Sequence, residues 1–224
     1  MTEWKLAEQA LSQIEVHSTT DNKLVTVTGS MNGLTIAGIG TDAAVFRFHS
    51  LPGYAFKLYA NEKIAKKTIE YQVYQQLGQN RHFPVCYDAG DRYLVLSYEP
   101  GITLYDCLVR GISIPRQLIT DVEAARQYVR SSGLNPRDIH LKNILMQNGR
   151  AKLLDVSEYI KSGSDYRWDH LKKGYDLYYH LIEGKPVPIW LIDRIRKWYQ
   201  PGKGQVPAFE EVVMRAAKLM KSRR

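Results

Sequence analysis

The chain has 224 residues, 44% hydrophobic and 24% charged, with 31 basic against 23 acidic side chains and a formal charge of +8. From Lys185 to Arg224 ten basic residues face three acidic ones, so the last forty residues hold +7 and the remainder +1, which excludes a uniformly basic, histone-like chain. This is the composition of an ordinary folded protein, long enough for one large domain or two small lobes without disulfides or metal as staples.

Cys86 and Cys107 read as reduced thiols, with no framework or metal-ligand spacing around them. The N-terminal stretch lacks the basic start and apolar run of a secretory leader, and no run approaches ~18 apolar residues. A cytoplasmic chain without a transmembrane segment is therefore expected.

The spacing of apolar residues predicts a short helix over 3–14, with Trp4, Leu6, Ala7, Leu11 and Ile14 on one face. Strand patterns follow at Leu24–Thr28, Leu34–Gly38, Ala43–Phe48 and Tyr54–Tyr59, punctuated by Gly29-Ser30, Gly40-Thr41-Asp42 and Pro52-Gly53. Residues 62–77 switch to helical spacing. Strands at Val85–Asp88 and Tyr93–Tyr98 flank an Ala89-Gly90-Asp91 turn. After Pro100-Gly101 helices dominate: Leu104–Val109, 115–131 with Pro115 in its first turn, 168–183, 189–199 and 207–222. A small strand pair, Leu141–Met146 and Ala151–Val156, flanks Gln147-Asn148-Gly149. A strand-rich half joined near 97–101 to a helix-rich half implies an α+β fold of two lobes.

Four local features carry chemistry. Gly38 and Gly40 sit in a hairpin, where a backbone without β-carbons can approach phosphates; the strand that follows argues against a dinucleotide-binding turn, which opens a helix. Lys57 is a lone cation in an apolar strand and needs an anion; Glu70 lies on the next helix. Asp138 and Asn143 stand five apart beside an apolar strand. An Asp there can accept a proton, and an Asn oxygen can ligate Mg²⁺. Asp155 ends a buried-type strand, where a carboxylate can hold a hard cation. The bland alternatives are a plain hairpin, a snorkelling Lys, an Asx-type turn before a hairpin and a strand-ending turn residue.

In this order and spacing the chain resembles the protein kinase superfamily over roughly 34–183, including Tyr93–Leu104 as that family's fifth strand and interlobe hinge. The resemblance implies a bilobal α+β fold: an antiparallel-sheet N-lobe (1–97, with an N-terminal extension) and a reduced helical C-lobe (98–224). It implies that Gly38 and Gly40 cover the phosphates of ATP and that Val45 packs on the adenine. Lys57 would bind the α- and β-phosphates and pair with Glu70, Glu62 lying too early in the helix. Leu96 would be the gatekeeper, and the backbone of Ser97–Glu99 would bond the adenine. Asp138 would receive the acceptor proton, while Asn143 and Asp155 would hold Mg²⁺.

The chain also departs from the family pattern. Ala43 replaces the third glycine, Pro136 the His of H-R-D, and Val156-Ser157 the Phe-Gly of D-F-G. His140 stands where Ser/Thr kinases carry Lys, as in aminoglycoside, choline and lipopolysaccharide-sugar kinases, although Arg137 is unlike the antibiotic kinases. Lys142 is a candidate phosphate-facing cation. Only thirteen residues separate Asp155 from Asp169, and no A-P-E follows. A kinase without the usual activation-segment switch is expected, with Arg137 paired to a carboxylate instead of a phospho-residue.

The first functional expectation is an atypical Ser/Thr protein kinase using Mg²⁺ and ATP on a hydroxyl acceptor. A sugar or lipid-headgroup kinase is the second. An ATP-binding switch or pseudokinase in an RNA-associated assembly, compact like the RIO kinases, is the third. The basic amphipathic stretch 207–222 is a candidate contact for RNA, an acidic protein or a membrane surface, or simply a solvated outer helix. Residues 1–33 either brace the N-lobe or cap the nucleotide cleft.

Overall fold

The structure is a computed structural model that describes residues 4–19, 21 and 23–198. The predicted helix 207–222 and its basic face lie outside the described residues. The chain forms two compact units, 1–100 with 155–160, and 101–154 with 161–224. Strand-rich and helix-rich units from one chain make the α+β class.

The first unit is built on an antiparallel five-stranded sheet in the order β3-β4-β5-β7-β6. Its strands are β3 (Leu34–Ile39), β4 (Ala43–Phe48), β5 (Leu51–Tyr59), β6 (Cys86–Ala89) and β7 (Tyr93–Ser97). Period-two alternation gives the sheet two different faces. Ala44, Phe46, Phe56, Leu58, Tyr93 and Val95 form one continuous buried face.

The N-terminal segment covers that face. Helix α1 (Lys5–Leu11) and a two-stranded ribbon, β1 (Ile14–His17) with β2 (Thr26–Gly29), bring Ala7, Ala10, Leu11, Ile14 and Val16 into the same cluster. Of the two roles open for residues 1–33, the described part braces the sheet. The predicted helix 3–14 is shorter than expected. Its last turn gives way to strand at Ile14, whose β-branched neighbour Val16 continues the alternation. Helix α2 (Ile64–Leu77) turns Glu70, Val73, Tyr74 and Leu77 inward.

The predicted turn at Pro52-Gly53 is instead strand. Strand β5 begins at Leu51, and its register with β4 shifts between Phe46 and Phe48, so the extra residues of β5 lie in a bulge. The ladder with β7 starts only at Tyr54. A proline with no N–H to donate is tolerated at such a place.

The second unit contains β8 (Ile102–Thr103), α3 (Leu104–Arg110), α4 (Arg116–Ser131), β9 (Ile144–Gln147), β10 (Arg150–Leu153), α5 (Arg167–Tyr178) and α6 (Ile189–Trp198). Thr103 caps α3 by accepting the Asp106 N–H at 3.1 Å. The strand pair β9–β10 is shorter than predicted at its outer ends and turns through Asn148 and Gly149. Both have positive φ, 50° and 73°, which a two-residue hairpin needs.

Asp121, buried on α4, accepts both Arg150 nitrogens at 2.7 Å and the Ala151 N–H at 3.1 Å, fastening the hairpin to the helix. The predicted helix 168–183 ends as α-helix at Tyr178 and tightens into a 3₁₀ turn over Tyr179–Leu181. The Tyr179 hydroxyl accepts the Ile114 N–H there at 2.6 Å. Cys86 and Cys107 are free thiols, and among the described residues no helix is long and apolar enough to cross a membrane.

Candidate functional site

In the first unit, Gly38, Val45, Lys57 and Leu94 stand in one row across four strands, each opposite the next. Opposed residues of an antiparallel ladder share a face. The row lies on the face away from the N-terminal segment, a face that Lys57 shares with Ala55 and Tyr59 along β5. Gly38 leaves that row open: a β-carbon there would meet nothing nearer than the Val45 Cβ at 4.0 Å. Packing among the described residues does not demand a glycine at this place.

Lys57 is the hub of the cluster. Its Nζ donates to both Glu70 oxygens at 2.7 and 2.8 Å and to Asp155 Oδ2 at 3.2 Å. Glu70 is fully buried, while about a third of the Asp155 side chain is exposed. Burial alone would lower the Lys57 ammonium, but Asp155 and Glu70 reverse this and hold it above its ordinary value. Burial pushes the Glu70 carboxyl up to about 7, against the pull of Lys57. Burial would raise Asp155 too, but Lys57 and two Ser157 bonds bring it down to about 2. Asp155 Oδ1 accepts the Ser157 N–H at 3.0 Å and its hydroxyl at 2.8 Å. Ser157 therefore stiffens the carboxylate in a D-V-S triplet whose Val156 is buried, and Tyr159, two residues beyond the triplet, packs edge-on against Phe83. Glu62 stands apart from Lys57, accepting the Ser18 hydroxyl at 3.2 Å.

The strand after the row is also tied down. Leu96 is buried opposite Ala55. The Ser97 hydroxyl donates to Glu99 at 2.6 Å and accepts the Val85 N–H at 2.9 Å, while the Tyr98 N–H is used by Gly53 O at 2.8 Å.

In the second unit, the loop before β9 brings Asp138, His140 and Asn143 together. Asp138 has φ 54°, a left-handed conformation that costs a non-glycine residue energy. Two bonds hold it: its N–H donates to Asp165 Oδ2 at 2.7 Å, and its carbonyl accepts the Asn143 Nδ2 at 3.1 Å. With its nitrogen used this way, Asn143 Oδ1 has no hydrogen-bond partner among the described residues. Arg167 donates to Asp138 Oδ1, and His140 Nε2 lies 3.8 Å from the same oxygen.

Among the described residues the carboxylate partner expected for Arg137 is not there. The short segment after Asp155 turns its backbone toward the guanidinium, which donates to the Ser162 and Gly163 carbonyls, the latter at 2.9 Å. Asn135 donates to Lys161 O and Gly163 O at 2.7 Å each. Among the described residues these carbonyls, both reached by Nη1, take the place of a carboxylate, while the buried Nε has no hydrogen-bond partner. The fastening depends on no side chain of that segment.

Among the described residues no group of three or more His, Cys, Asp or Glu side chains could by itself hold a metal. Asp155, held ionised in the first unit, and Asn143, with its side-chain oxygen in the second, are each of the oxygen-ligand type that a hard cation takes. Tyr59, Ser157, Asp165 and Arg167 are site residues that sequence reading missed. For Tyr59 the signal was available, two residues beyond Lys57 on the same strand face. For Ser157 it was the Asx-turn spacing after Asp155. Asp165 and Arg167 reach Asp138 from 27 and 29 residues away, with no local pattern to announce them.

No protein-family profile matches the chain. A curated relative from Bacillus subtilis (strain 168), named "Putative serine/threonine-protein kinase YrzF", is 34% identical over 175 residues, 75% of this chain and 81% of the relative. Two solved structures of WbdD are also similar. One is 16% identical with a TM-score of 0.45, over 79% of this chain and 43% of its own. The other, a complex with a kinase inhibitor, is 14% identical with a TM-score of 0.48, over 97% of this chain and 56% of its own. The chain thus spans about half the length of those two structures. On the Bacillus relative, matched over most of both sequences, the chain belongs to the protein kinase superfamily.

Proposed function

We propose that the chain is an ATP-dependent phosphotransferase that passes the γ-phosphate to a protein Ser/Thr hydroxyl. The observation that carries this is Lys57 clasped by Glu70 and Asp155 at once. A buried lysine held charged is a fixed cation for the α- and β-phosphates, and an Asp kept ionised beside it is an oxygen ligand for Mg²⁺. Gly38, free of packing demands, leaves backbone for phosphate to approach, with Gly40 at the end of the hairpin. Val45 and the Ser97–Glu99 backbone serve the adenine. Asn143 offers its unbonded oxygen to the metal. Asp138 orients the acceptor hydroxyl and takes its proton.

Mg-ATP, when bound, supplies the transferable phosphoryl group. The chain supplies charge neutralisation and aim, which is most of what this chemistry asks of a protein. The name of the Bacillus relative supports a protein acceptor. His140, 3.8 Å from Asp138 Oδ1 where Ser/Thr kinases carry Lys, supports a second reading with a small hydroxyl compound as acceptor.

The test incubates the protein with γ-labelled Mg-ATP, alone and with candidate acceptors, beside Asp138→Asn and Asp155→Ala. Label transfer abolished by both changes is expected. Nucleotide binding without transfer or hydrolysis would sink the enzyme reading in favour of an ATP-binding switch.

A further inference from the structure

Phosphoryl transfer places negative charge between donor and acceptor, and a cation at the acceptor's base stabilises it. Four basic side chains lie near Asp138 in the sequence or in space, of which Arg137 is taken up by the Ser162 and Gly163 carbonyls. Lys142 is turned away from this task, its Nζ 4.7 Å over the Tyr105 ring. His140 approaches Asp138 Oδ1 only to 3.8 Å, beyond hydrogen-bond reach. Arg167 donates directly to that oxygen.

Arg167 is held in place by Asp165. Its backbone N–H donates to Asp165 Oδ1 at 3.2 Å, and its Nε lies 3.7 Å from Asp165 Oδ2. The same Oδ2 accepts the Asp138 N–H at 2.7 Å. One carboxylate therefore fixes both the backbone of the base and the cation on its side chain. The second guanidinium prong of Arg167, Nη2, makes no bond among the described residues, and 38% of the side chain is exposed. A guanidinium with one prong on a carboxylate and the other open is shaped to bridge that carboxylate and a phosphoryl oxygen.

We infer that Arg167 is the phosphate-facing cation at Asp138, meeting the phosphoryl group as it arrives at the acceptor oxygen. This rests on the reading that Asp138 receives the acceptor hydroxyl. Arg167 makes and breaks no covalent bond. The acceptor O–H proton goes to Asp138, the new O–P bond forms, and the electron pair of the broken P–O bond leaves with ADP.

Binding of Mg²⁺·ADP, with and without fluoroaluminate as a mimic of the transferring phosphoryl group, tests the inference in wild type, Arg167→Ala and Arg167→Lys. Fluoroaluminate should tighten wild-type binding by at least about tenfold. Arg167→Ala should keep its Mg²⁺·ADP affinity and lose that gain, Arg167→Lys should keep part of it, and added guanidinium should restore label transfer to Arg167→Ala. Melting curves identify a variant that has merely unfolded, and the lysine variant then decides. A full fluoroaluminate gain in Arg167→Ala overturns the inference. So does a wild type that binds Mg²⁺·ADP with no gain, which leaves the nucleotide reading standing. A wild type that binds no Mg²⁺·ADP overturns the proposed function itself.

Discussion

The Tyr59 hydroxyl donates to Glu70 Oε2, the same oxygen that accepts from Lys57 Nζ at 2.7 Å. Glu70 is buried on α2 and Tyr59 on β5, so the pair links helix to sheet through the same group that aims the lysine. A donor to the charged form of a carboxylate favours that form. Tyr59 is thus a positioning residue: it favours the ionised form of Glu70 and shares with Lys57 the Oε2 atom of that carboxylate.

Its removal has a signed pH consequence. Burial puts the folded Glu70 at about 7, so the charged pair with Lys57 is complete above that pH and is lost as pH falls through it. Tyr59→Phe deletes an interaction that lowers Glu70, so the midpoint moves upward. The expected outcome is Mg-nucleotide affinity that falls on acidification at a higher pH than in wild type, together with about 1–3 kcal/mol lost stability. Binding titrations across pH 5.5–8.5 check it, and an unchanged or lowered midpoint would contradict the role.

Lys57→Met should bind Mg-nucleotide far more weakly, and its stability should depend on pH in a particular sense. Without the ammonium, buried Glu70 is an uncompensated charge, worth about 3–5 kcal/mol when a buried pair loses one partner. Protonation relieves that cost. A carboxyl raised in the folded state favours folding at low pH. The deficit in melting temperature relative to wild type should therefore shrink from pH 8 to pH 6. An equal deficit at both values would mean that Glu70 does not carry the charge.

How far the sequence reveals these relationships depends on their range. The strand Ala43–Phe48 is legible as an apolar, strand-forming run after the Gly40-Thr41-Asp42 turn, and the helix 116–131 by its helical apolar period after Pro115. Lys57 and Glu70 are legible as partners because a lone cation in an apolar strand must find an anion on the neighbouring helix. The strand at Ile14–His17 is hidden because its first residue also completes the apolar face of the preceding helix. Pro52-Gly53 reads as a turn because a bulge has no sequence period of its own. Arg137 is misread because backbone carbonyls, which every residue has, leave no trace in composition. Asp165 and Arg167 are invisible for a related reason: their partner lies in another loop, and only tertiary structure joins them.

The N-terminal segment belongs to the core of the first unit, which makes Ile14 a stability residue. It is fully buried among Phe46, Phe56 and their neighbours on the sheet face opposite Lys57. Ile14→Ala should cost about 2–5 kcal/mol, as a methylene-rich side chain leaves a cavity that packed neighbours fill only partly. Urea unfolding measures this. A loss under about 0.5 kcal/mol would show that the segment rests on the sheet without contributing to its core.

Asp121 gives the corresponding prediction for the second unit, with a pH window of its own. Burial would raise its carboxyl, but Arg150, Gln117 and the Ala151 N–H pull it down to about 2. A folded value below the ordinary 3.8 means that the stabilisation is complete above about pH 4 and is lost as pH falls through 2. Asp121→Ala removes that contribution and strands the Ala151 N–H inside the α4–hairpin contact, which should cost about 1–3 kcal/mol at neutral pH. Asp121→Asn keeps one acceptor for Ala151 and should lie between. Wild type and Asp121→Ala should converge in stability as pH drops from 4 toward 2. If the gap between them persists undiminished at the acid end, the carboxylate charge is not what fastens the hairpin to the helix.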